Sequence, residues 1–371
     1  MIKVMTIVGT RPEVIRLSRV ISRLDESVHH VMVHTGQNYD YALNGVFFED
    51  LGLRKPDFVL GVDTSSLGHV LGDTLVKIEA YLKSEQPDAV LVLGDTNSCI
   101  SALMAKRLRI PVYHMEAGNR CFDENVPEET NRRFVDHIAD FNLVYTEHAR
   151  RNLLAEGLHP RRIHLTGSPM NEVISYYRHQ IDGSPVLTEL DLQPSKYFVV
   201  SAHREENVDS PARLQALLGC LEAVAGTYSL PVIVSTHPRT RDRLEKLGID
   251  VNNSAIRWLN PFGFSDYVKL QMHSACVLSD SGTIAEESAI LGFPAVTLRE
   301  SIERPEALDT GSIMLSGLDR DDVLITVDAA MTERERITAP AEYQIDDTSR
   351  RVVRFILSTV HRTHEWAGIR R

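Results

Sequence analysis

Residues 2–24 read IKVMTIVGTRPEVIRLSRVISRL, and this stretch sets the pattern for the whole chain. A continuous apolar run ends at Gly-Thr-Arg-Pro and is followed by apolar residues at helical spacing. Apolar runs without polar alternation are typical of strands that are buried on both faces of a parallel sheet. Thr10 and Glu13 fit a T-x-x-E capping box, with Pro12 tolerated in the first turn, so we expect a helix to begin here. The stretch therefore predicts a strand, a tight turn and a helix.

The same rhythm recurs in two successive series. The first includes AVLVLG before SCISALMAKRLR and FNLVYT before EHARRNLLAEG, and the second begins after about residue 170 with KYFVVSAH, PVIVSTH and CVLSDSG. The polar, turn-rich stretch QIDGSPVLTELDLQPS marks the expected boundary region. We predict an α/β protein with two Rossmann-like domains, residues 1–170 and 171–348, and an active site in the cleft between them. The amphipathic segment 349–371 is expected to complete the first domain.

Composition and charge exclude several classes of protein. The 371 residues carry a net charge of −11, which argues against a general binder of nucleic acid or anionic membranes. The four cysteines form no CxxC pair, so we expect free thiols in a reducing compartment. No stretch approaches the roughly 20 apolar residues that span a bilayer, and the first apolar run is too short for a signal peptide. We therefore expect a cytoplasmic protein.

The sequence lacks the common glycine-rich nucleotide motifs. Neither half carries G-x-G-x-x-G after its first strand, and the chain contains no G-x-x-x-x-G-K-[ST] loop. Both motifs cradle phosphates with backbone N–H groups, so their absence disfavours a tightly bound dinucleotide or a P-loop nucleotide.

Unusual polar residues follow the predicted strands. Ligands of doubly wound sheets bind beyond the carboxyl ends of the strands, and Arg11, Asp95, Glu116, His203 and residues 280–283 fall there. Glu116 is the hardest to explain structurally, because a carboxylate directly after a buried strand is costly unless it is paired or functional. The small-residue turn at 281–283 precedes a helix, and a helix start offers N–H groups to a phosphate.

Structural explanations are available for most of these candidates. They are a helix cap or first-turn acid for Asp95, Glu128, Glu129, Glu287 and the turn Ser281–Thr283, a structural histidine for His203, and an exposed loop arginine for Arg304. Asp123, Glu124, Glu129 and Asp136 are interpreted as ordinary solvated or capping acids. Taken singly, none of the candidates identifies an enzyme.

Eight ordered motifs together resemble one family. The strings GTRPE, TGQ, LGDTNS, HMEAGNR, VPEETNRR, HREEN, DSGTIAEES and ERPEA resemble the non-hydrolysing UDP-N-acetylglucosamine 2-epimerases and extend over residues 9–307. The resemblance implies two Rossmann-like domains in a GT-B-type arrangement, a homodimer, a UDP-sugar substrate, and no redox cofactor or metal.

The resemblance also implies roles for particular residues. The family's catalytic carboxylates fall on Asp95, Glu116 and Glu128, and we include His203 among the catalytic candidates. The nucleotide contacts fall on Arg11, His203, Ser281, Gly282, Thr283, Glu287 and Arg304. Arg16 stands where the family usually has lysine, which keeps the charge and changes its geometry. Phe262 and Tyr267 align with two uracil contacts that are usually Gln and Phe.

Three longer stretches resemble one branch of this family. HTGQNYDYALN, MEAGNRCFDENVPEETNRRFVDHIAD and SAHREENVDS are similar to enzymes that make UDP-N-acetyl-L-fucosamine from UDP-2-acetamido-2,6-dideoxy-L-talose. The alternatives are a UDP-GlcNAc 2-epimerase, a GT-B glycosyltransferase and an inactive UDP-sugar-binding protein. Residues 38–44 depart from the family's H-x-x-M-L-D-Q segment, which leaves activation by a second UDP-GlcNAc open.

Inversion at C2 of an N-acetyl sugar requires cleavage of a C–H bond that no adjacent carbonyl acidifies. The missing dinucleotide motif disfavours oxidation of a neighbouring carbon. The remaining route eliminates UDP to give a 2-acetamidoglycal and adds UDP back with a proton on the other face, as the family implies. This route needs an acid, a base and cations for the departing diphosphate. Which carboxylate is acid and which is base stays open, and we hypothesise that domain closure retains the glycal.

Overall fold

The computed structural model describes residues 1–36, 48–248, 255–334 and 337–369. Contacts between residues divide the chain into two units, each described below by itself. Unit 1 comprises residues 1–173 and 344–371, and unit 2 comprises residues 174–343. Segment 37–47, which contains most of HTGQNYDYALN, lies outside the described residues.

Unit 1 is built around a parallel sheet of seven strands in the order β3-β2-β1-β4-β5-β6-β7. Its strands are β1 (Lys3–Val8), β2 (His29–His34), β3 (Phe58–Val59), β4 (Ala89–Leu93), β5 (Val112–Ala117), β6 (Phe141–Val144) and β7 (Ile163–Leu165). Its helices are α1 (Arg11–Ser27), α2 (Leu67–Glu85), α3 (Ser101–Arg107), α4 (Glu128–Ile138), α5 (Glu147–Ala155) and α6 (Met170–Tyr176), the last of which runs into unit 2. Two further α-helices of unit 1 come from the last part of the described residues.

Unit 2 repeats this architecture with six parallel strands in the order β10-β9-β8-β11-β12-β13. Its strands are β8 (Phe198–Ser201), β9 (Val232–Ser235), β10 (Ile256–Leu259), β11 (Cys276–Ser279), β12 (Ala295–Thr297) and β13 (Met314–Leu315). Its helices are α7 (Arg178–Gly183), α8 (Val186–Glu189), α9 (Glu205–Val208), α10 (Pro211–Tyr228), α11 (Pro238–Lys246), α12 (Phe264–His273), α13 (Ile284–Leu291), α14 (Pro305–Asp309) and α15 (Arg320–Thr332). The predicted fold class, two Rossmann-like parallel-sheet α/β domains, is confirmed.

The central strands explain why apolar runs without alternation were informative. Every residue of β4 is buried, as is every residue of β5 and β6. Helices therefore cover both faces of the sheet, and side chains on either face of a strand are removed from water. The polar residues that end these strands are the exceptions to this pattern.

The last helices of the chain, α16 (Thr348–Thr359) and α17 (Thr363–Trp366), belong to unit 1. The Arg23 Nε of α1 donates to Ser349 Oγ at 3.0 Å, and the Tyr113 and Thr359 hydroxyl oxygens lie 2.7 Å apart. The Phe355 ring stands edge-on to Phe141 with centroids 5.1 Å apart. The end of the chain thus supplies part of the packing of unit 1.

The predicted capping box at the start of α1 is only partly correct. Thr10 is the N-cap, but its side chain caps no backbone N–H. The Glu13 carboxylate instead accepts from the Gly9 N–H at 3.0 Å and from the Thr10 hydroxyl at 2.8 Å. Glu13 thus satisfies donors of the turn, one residue earlier than a capping box does.

All four cysteines are buried free thiols, as expected. Among the described residues, no helix has both the length and the apolar character needed to cross a membrane.

Candidate active site

Glu116 lies on a backbone irregularity at the end of β5. The pairing of β5 with β6 shifts between Met115 and Ala117, so Glu116 is an extra residue in the strand. Its φ of +62° is in the left-handed region, which costs a residue with a Cβ about 1–3 kcal/mol. We expected Glu116 to follow the strand, whereas Glu116 is the second-to-last residue of β5 and forms a bulge there. Bulges re-aim side chains next to active sites, and this one directs a carboxylate out of the regular ladder.

Arg16 of α1 forms an ion pair with this carboxylate. The Arg16 Nη1 donates to Glu116 Oε2, and both side chains are less than one-tenth exposed. A Cβ at Gly94 would lie 3.6 Å from the same Glu116 oxygen, so the carboxylate also packs against the turn before Asp95. The structure therefore brings Arg16, Glu116 and the Asp95 turn together. Arg16 stands where the family usually has lysine, so a positively charged side chain still pairs with the Glu116 carboxylate.

Asp95 is held by α4 rather than acting as a helix cap. Its Oδ2 accepts from Arg132 Nε at 2.7 Å, and its carbonyl accepts from Asn131 Nδ2 at 2.9 Å. The N-cap of the short 3₁₀ helix at Asn97–Ile100 is Thr96, so the capping interpretation of Asp95 is wrong. Arg132 is almost fully buried and also donates to Glu129 Oε2 at 3.0 Å. One arginine thus bridges two carboxylates.

Glu128 is the first residue of α4. Glu128 and Glu129 both lie in the first turn of this helix, in agreement with their interpretation as first-turn acids. Acidic residues there are favoured by the helix dipole. The second turn of the same helix carries the two side chains that hold Asp95, so Glu128 and Asp95 are linked through one short helix.

Two acids that the sequence interpretation treated as ordinary are buried and paired. Glu129 is 4% exposed and accepts from the Cys121 N–H at 3.2 Å as well as from Arg132. Burial raises the pKa of the Glu129 carboxyl, but these hydrogen bonds outweigh it and the net pKa is lowered. Asp136 is fully buried and accepts from Arg120 Nη1 at 2.7 Å. The interpretation of Glu129 and Asp136 as ordinary solvated acids is therefore wrong. Each has an arginine partner, which a buried charge requires because an unpaired one is costly.

Arg11 opens α1, two residues before the buried Glu13. Burial lowers the pKa of Arg11, and the negative charge of Asp50 opposes this shift. Burial raises the pKa of Glu13, against hydrogen bonds from Ser98, Thr10 and Gly9. Ser98 follows Asp95 in sequence, so Glu13 connects the turn after β1 to the turn after β4.

In unit 2, Asp280 organises the segment that carries His203. The fully buried Asp280 accepts from the His203 N–H at 3.0 Å, from the Arg204 N–H at 3.0 Å and from Asn207 Nδ2 at 3.1 Å. The His203 Nδ1 lies 3.5 Å from Asp280 Oδ1, and its side chain remains 35% exposed. The His203 ring is 5.2 Å from the ring of His237, which follows β9. A carboxylate thus fixes the backbone of His203 and leaves its imidazole accessible.

The Ser281-Gly282-Thr283 turn leads into α13, with Thr283 as N-cap. No side chain caps the helix start, in contrast to the capping interpretation, and the Ser281 and Thr283 hydroxyl oxygens lie 3.1 Å apart. A Cβ at Gly282 would collide with the end of the Arg304 side chain and with the Glu303 carboxylate. Only glycine lets this guanidinium approach the turn so closely.

Arg304 is 2% exposed, so its interpretation as an exposed loop arginine is wrong. Its Nε lies 3.1 Å from Glu286 Oε2 and its Nη1 lies 3.1 Å from Glu303 Oε1. Glu303 also pairs with Arg299 at 2.5 Å and with Arg204 at 3.4 Å. Two carboxylates therefore hold the guanidinium against the turn.

The remaining predicted contacts of unit 2 lie around α13. Glu287 is 7% exposed and its Oε2 accepts from Gln271 Nε2 at 2.7 Å. Tyr267 and Phe262 are partly buried and pack against the apolar cluster that includes Ile284. Burial raises the pKa of Tyr267, and the nearby Glu287 carboxylate adds to the rise. The residues aligned with uracil contacts therefore adjoin the helix that carries Glu287.

Sequence reasoning missed several side chains that hold the candidate residues within each unit. They are Glu13, His114, Arg132 and Asp136 in unit 1, and Asp280, Glu286 and Glu303 in unit 2. One signal was available for α4, in which Arg132, Val135, Asp136 and Ala139 fall on one face by helical spacing. A charged residue on an apolar face indicates a buried polar partner.

Unit 1 thus carries carboxylates at the ends of its strands, and unit 2 carries a glycine turn covered by Arg304. The profile of the UDP-N-acetylglucosamine 2-epimerase family matches residues 22–357. The chain belongs to this family, and its prediction as an isomerase of UDP-sugars is confirmed at that level.

Individual relatives agree with this assignment. The structure of UDP-N-acetylglucosamine 2-epimerase from Rickettsia bellii is 46% identical, covers 98% of each chain and superposes with a TM-score of 0.92. The enzyme of Methanocaldococcus jannaschii in complex with UDP-GlcNAc and UDP is 33% identical over 96% of this chain and 100% of that chain, with a TM-score of 0.91. UDP-2,3-diacetamido-2,3-dideoxy-D-glucuronate 2-epimerase of Pseudomonas aeruginosa is 34% identical over 87% of this chain and 90% of its own length.

Proposed function

We propose that this protein inverts C2 of a UDP-2-acetamido sugar by eliminating and re-adding UDP. The observation that carries the proposal is Glu116, a carboxylate placed on a left-handed bulge and paired with a buried arginine. Backbone strain of this kind persists where the surrounding structure enforces it, and it clusters at active sites. Membership of the 2-epimerase family supports the same reaction.

The carboxylates of unit 1 are proposed to move the proton at C2. One of Asp95, Glu116 and Glu128 removes the C2 proton as the C1–O bond to UDP breaks, which leaves a 2-acetamidoglycal and UDP. An acid then delivers a proton to the opposite face of C2 while a phosphate oxygen of UDP re-forms the bond to C1. Positioned proton transfer of this kind contributes about 10²- to 10⁴-fold in rate. His203 is kept as a further candidate for acid–base chemistry.

The cations and N–H donors are proposed to bind UDP and stabilise it as a leaving group. Arg304 and the Ser281–Thr283 turn supply a guanidinium and a helix N-terminus to the diphosphate, and Arg11 supplies a further charge. Glu287 is assigned to the ribose hydroxyls, and Phe262 and Tyr267 to the uracil. The closeness of the Arg304 guanidinium to Gly282, where an added Cβ would collide with it, supports this placement, because the two proposed phosphate-binding groups adjoin.

The preferred substrate is UDP-2-acetamido-2,6-dideoxy-L-talose, with UDP-N-acetyl-L-fucosamine as product. This preference rests on the branch resemblance of the three stretches described above. The relative in Pseudomonas aeruginosa is a 2-epimerase of a different sugar, UDP-2,3-diacetamido-2,3-dideoxy-D-glucuronate, which supports variation of the sugar among enzymes of this similarity. We also propose a cytoplasmic homodimer that uses no redox cofactor or metal.

The test follows solvent deuterium into C2 by NMR with UDP-GlcNAc and the 6-deoxy-L-talo substrate supplied separately. Labelling and inversion of the 6-deoxy sugar support the proposal, and turnover of UDP-GlcNAc alone overturns the substrate. A glycosyltransferase or an inactive binding protein would label neither. Asp95→Asn, Glu116→Gln and Glu128→Gln are compared with Glu124→Gln, an exposed acid of the same segment. If all three variants keep wild-type exchange, the catalytic assignment is wrong.

A further inference from the structure

A buried histidine–aspartate pair joins the turns that follow β4 and β5, and the reaction proposed above assigns it no role. His114 of β5 and Asp136 of α4 are both fully buried. The His114 Nδ1 lies 2.9 Å from Asp136 Oδ1, and its Nε2 lies 2.8 Å from the carbonyl oxygen of Gly94. A carbonyl oxygen can only accept, so the Nε2 carries a hydrogen and donates it to Gly94.

Asp136 holds the second turn. Its two oxygens lie 3.2 and 3.1 Å from the Gly118 backbone nitrogen, which donates to them. Gly94 immediately precedes Asp95, and Gly118 follows Glu116 by two residues. Both glycines have positive φ, +69° and +81°, so both turns have conformations that depend on tertiary support. A single side-chain pair therefore fixes the turns that carry two of the candidate catalytic carboxylates.

The surroundings of the pair make this fixation stiff. Buried polar groups without partners are costly, so each hydrogen bond in a dry network resists displacement. Arg120 extends the network, because its Nη1 donates to Asp136 at 2.7 Å while its Nε donates to Glu156 Oε1 at 2.8 Å. The hydrogen bond from Arg120 lowers the pKa of Glu156 to about 2. Glu156 lies at the far end of Arg120, and in the part of the chain that the structure describes its side chain pairs with Arg120, His137 and Arg133 and not with either turn, so it offers a matched control.

We infer that His114 and Asp136 are positioning residues that hold the Asp95 and Glu116 carboxylates in register for transfer of the C2 proton. The inference rests on the proposed function. Loss of the pair loosens both turns and misplaces the two carboxylates, and a misplacement of about 1 Å costs roughly 100-fold in rate. Apart from Arg11, the proposed nucleotide-binding residues belong to unit 2, so UDP binding is expected to persist.

The experiment compares His114→Asn, His114→Gln, Asp136→Asn and Glu156→Gln in the full-length protein. Asparagine places its amide near the Nδ1 position of histidine and glutamine near the Nε2 position, so His114→Gln retains a donor toward Gly94 and His114→Asn does not. The measurements are kcat and KM with the UDP-sugar that wild type labels at C2, the dissociation constant of UDP, and circular dichroism for folding.

We expect His114→Asn and Asp136→Asn to lower kcat by about 10- to 100-fold, with KM and the dissociation constant of UDP within about 3-fold of wild type. His114→Gln is expected to lose less activity than His114→Asn, and Glu156→Gln to keep the wild-type kcat. If either asparagine variant fails to fold, the kcat of His114→Gln is compared with that of Glu156→Gln. A lower kcat in His114→Gln supports the inference, and equal values overturn it.

Wild-type kcat in the folded variants, or an equal loss in Glu156→Gln, overturns the inference. A rise in KM at unchanged kcat also overturns it. Failure of wild type to label any UDP-sugar counts instead against the proposed function.

Discussion

Replacing Gly118 by alanine tests the packing of the turn after β5. Gly118 has φ +81°, and a Cβ there would lie 2.9 Å from the backbone carbon of Ala149 in α5 and 3.0 Å from Leu153 Cγ. Gly157 has nearly the same φ, +85°, and no described atom would come within 4 Å of its Cβ. The two glycines therefore differ in crowding and share the conformational cost.

The expected magnitudes follow from these two terms. A left-handed conformation costs a residue with a Cβ about 1–3 kcal/mol, which applies to both variants. Forcing extra volume into a packed site adds about 1–3 kcal/mol, which applies to Gly118→Ala alone. The contact at Gly118 is with backbone, so it cannot be relieved by rotation of a side chain. We expect the free energy of unfolding to fall by about 1–3 kcal/mol more in Gly118→Ala than in Gly157→Ala.

The assay uses the two tryptophans of the chain, one in each unit. Trp258 lies in β10 of unit 2, and Trp366 packs edge-on to Phe141 in unit 1 with centroids 6.2 Å apart. In a Trp258→Phe background, urea titration followed by fluorescence reports on unit 1 alone, which matters because proteins with several domains need not unfold in one step. Equal destabilisation by the two alanines would refute the steric argument.

Three further predictions concern charge and capping. Arg132→Met removes the partner of the Asp95 and Glu129 carboxylates, and breaking such a buried pair is expected to cost about 3–5 kcal/mol in the fluorescence assay of unit 1. Asp319→Ala removes two hydrogen bonds at the start of α15 and is expected to cost about 1 kcal/mol, measured through the tryptophan of unit 2. The pKa of Glu156 is about 2 in the folded protein, against an ordinary value of 4.5. The ionised carboxylate therefore stabilises the fold above pH 4.5, and this stabilisation is lost as the pH falls toward 2. The difference in stability between wild type and Glu156→Gln should therefore shrink progressively as the pH falls from about 4.5 toward 2.

The repeated units of strand and helix could be predicted from the sequence, because a strand that is buried on both faces is a short run of apolar residues. The positions of Asp95 and Glu116 at strand ends could be predicted for the same reason, since each is a carboxylate at the end of an apolar run. The bulge at Glu116 was not readable, because no glycine or change of period announces its positive φ.

Side-chain partners across loops were also beyond the sequence. Arg132 reaches Asp95 from 37 residues away, and Asp136 reaches His114 from 22 residues away. Local spacing predicts which residues share a face of an element, but the pairing of two elements decides which charges meet. Arg304 shows the same limit, because its loop position suggested exposure while two carboxylates and the glycine turn enclose it.

The return of α16 to unit 1 has a consequence for biosynthesis. Domains generally fold as units while the chain emerges from the ribosome. Residues 174–343 form a continuous unit and are all available before the residues of α16 appear. Unit 1 is translated first yet receives Phe355, which packs edge-on against the Phe141 and Tyr113 rings, only after unit 2 has been translated. The order of completion is therefore the reverse of the order of translation, and the Phe141 and Tyr113 rings lack this packing while unit 2 is being made.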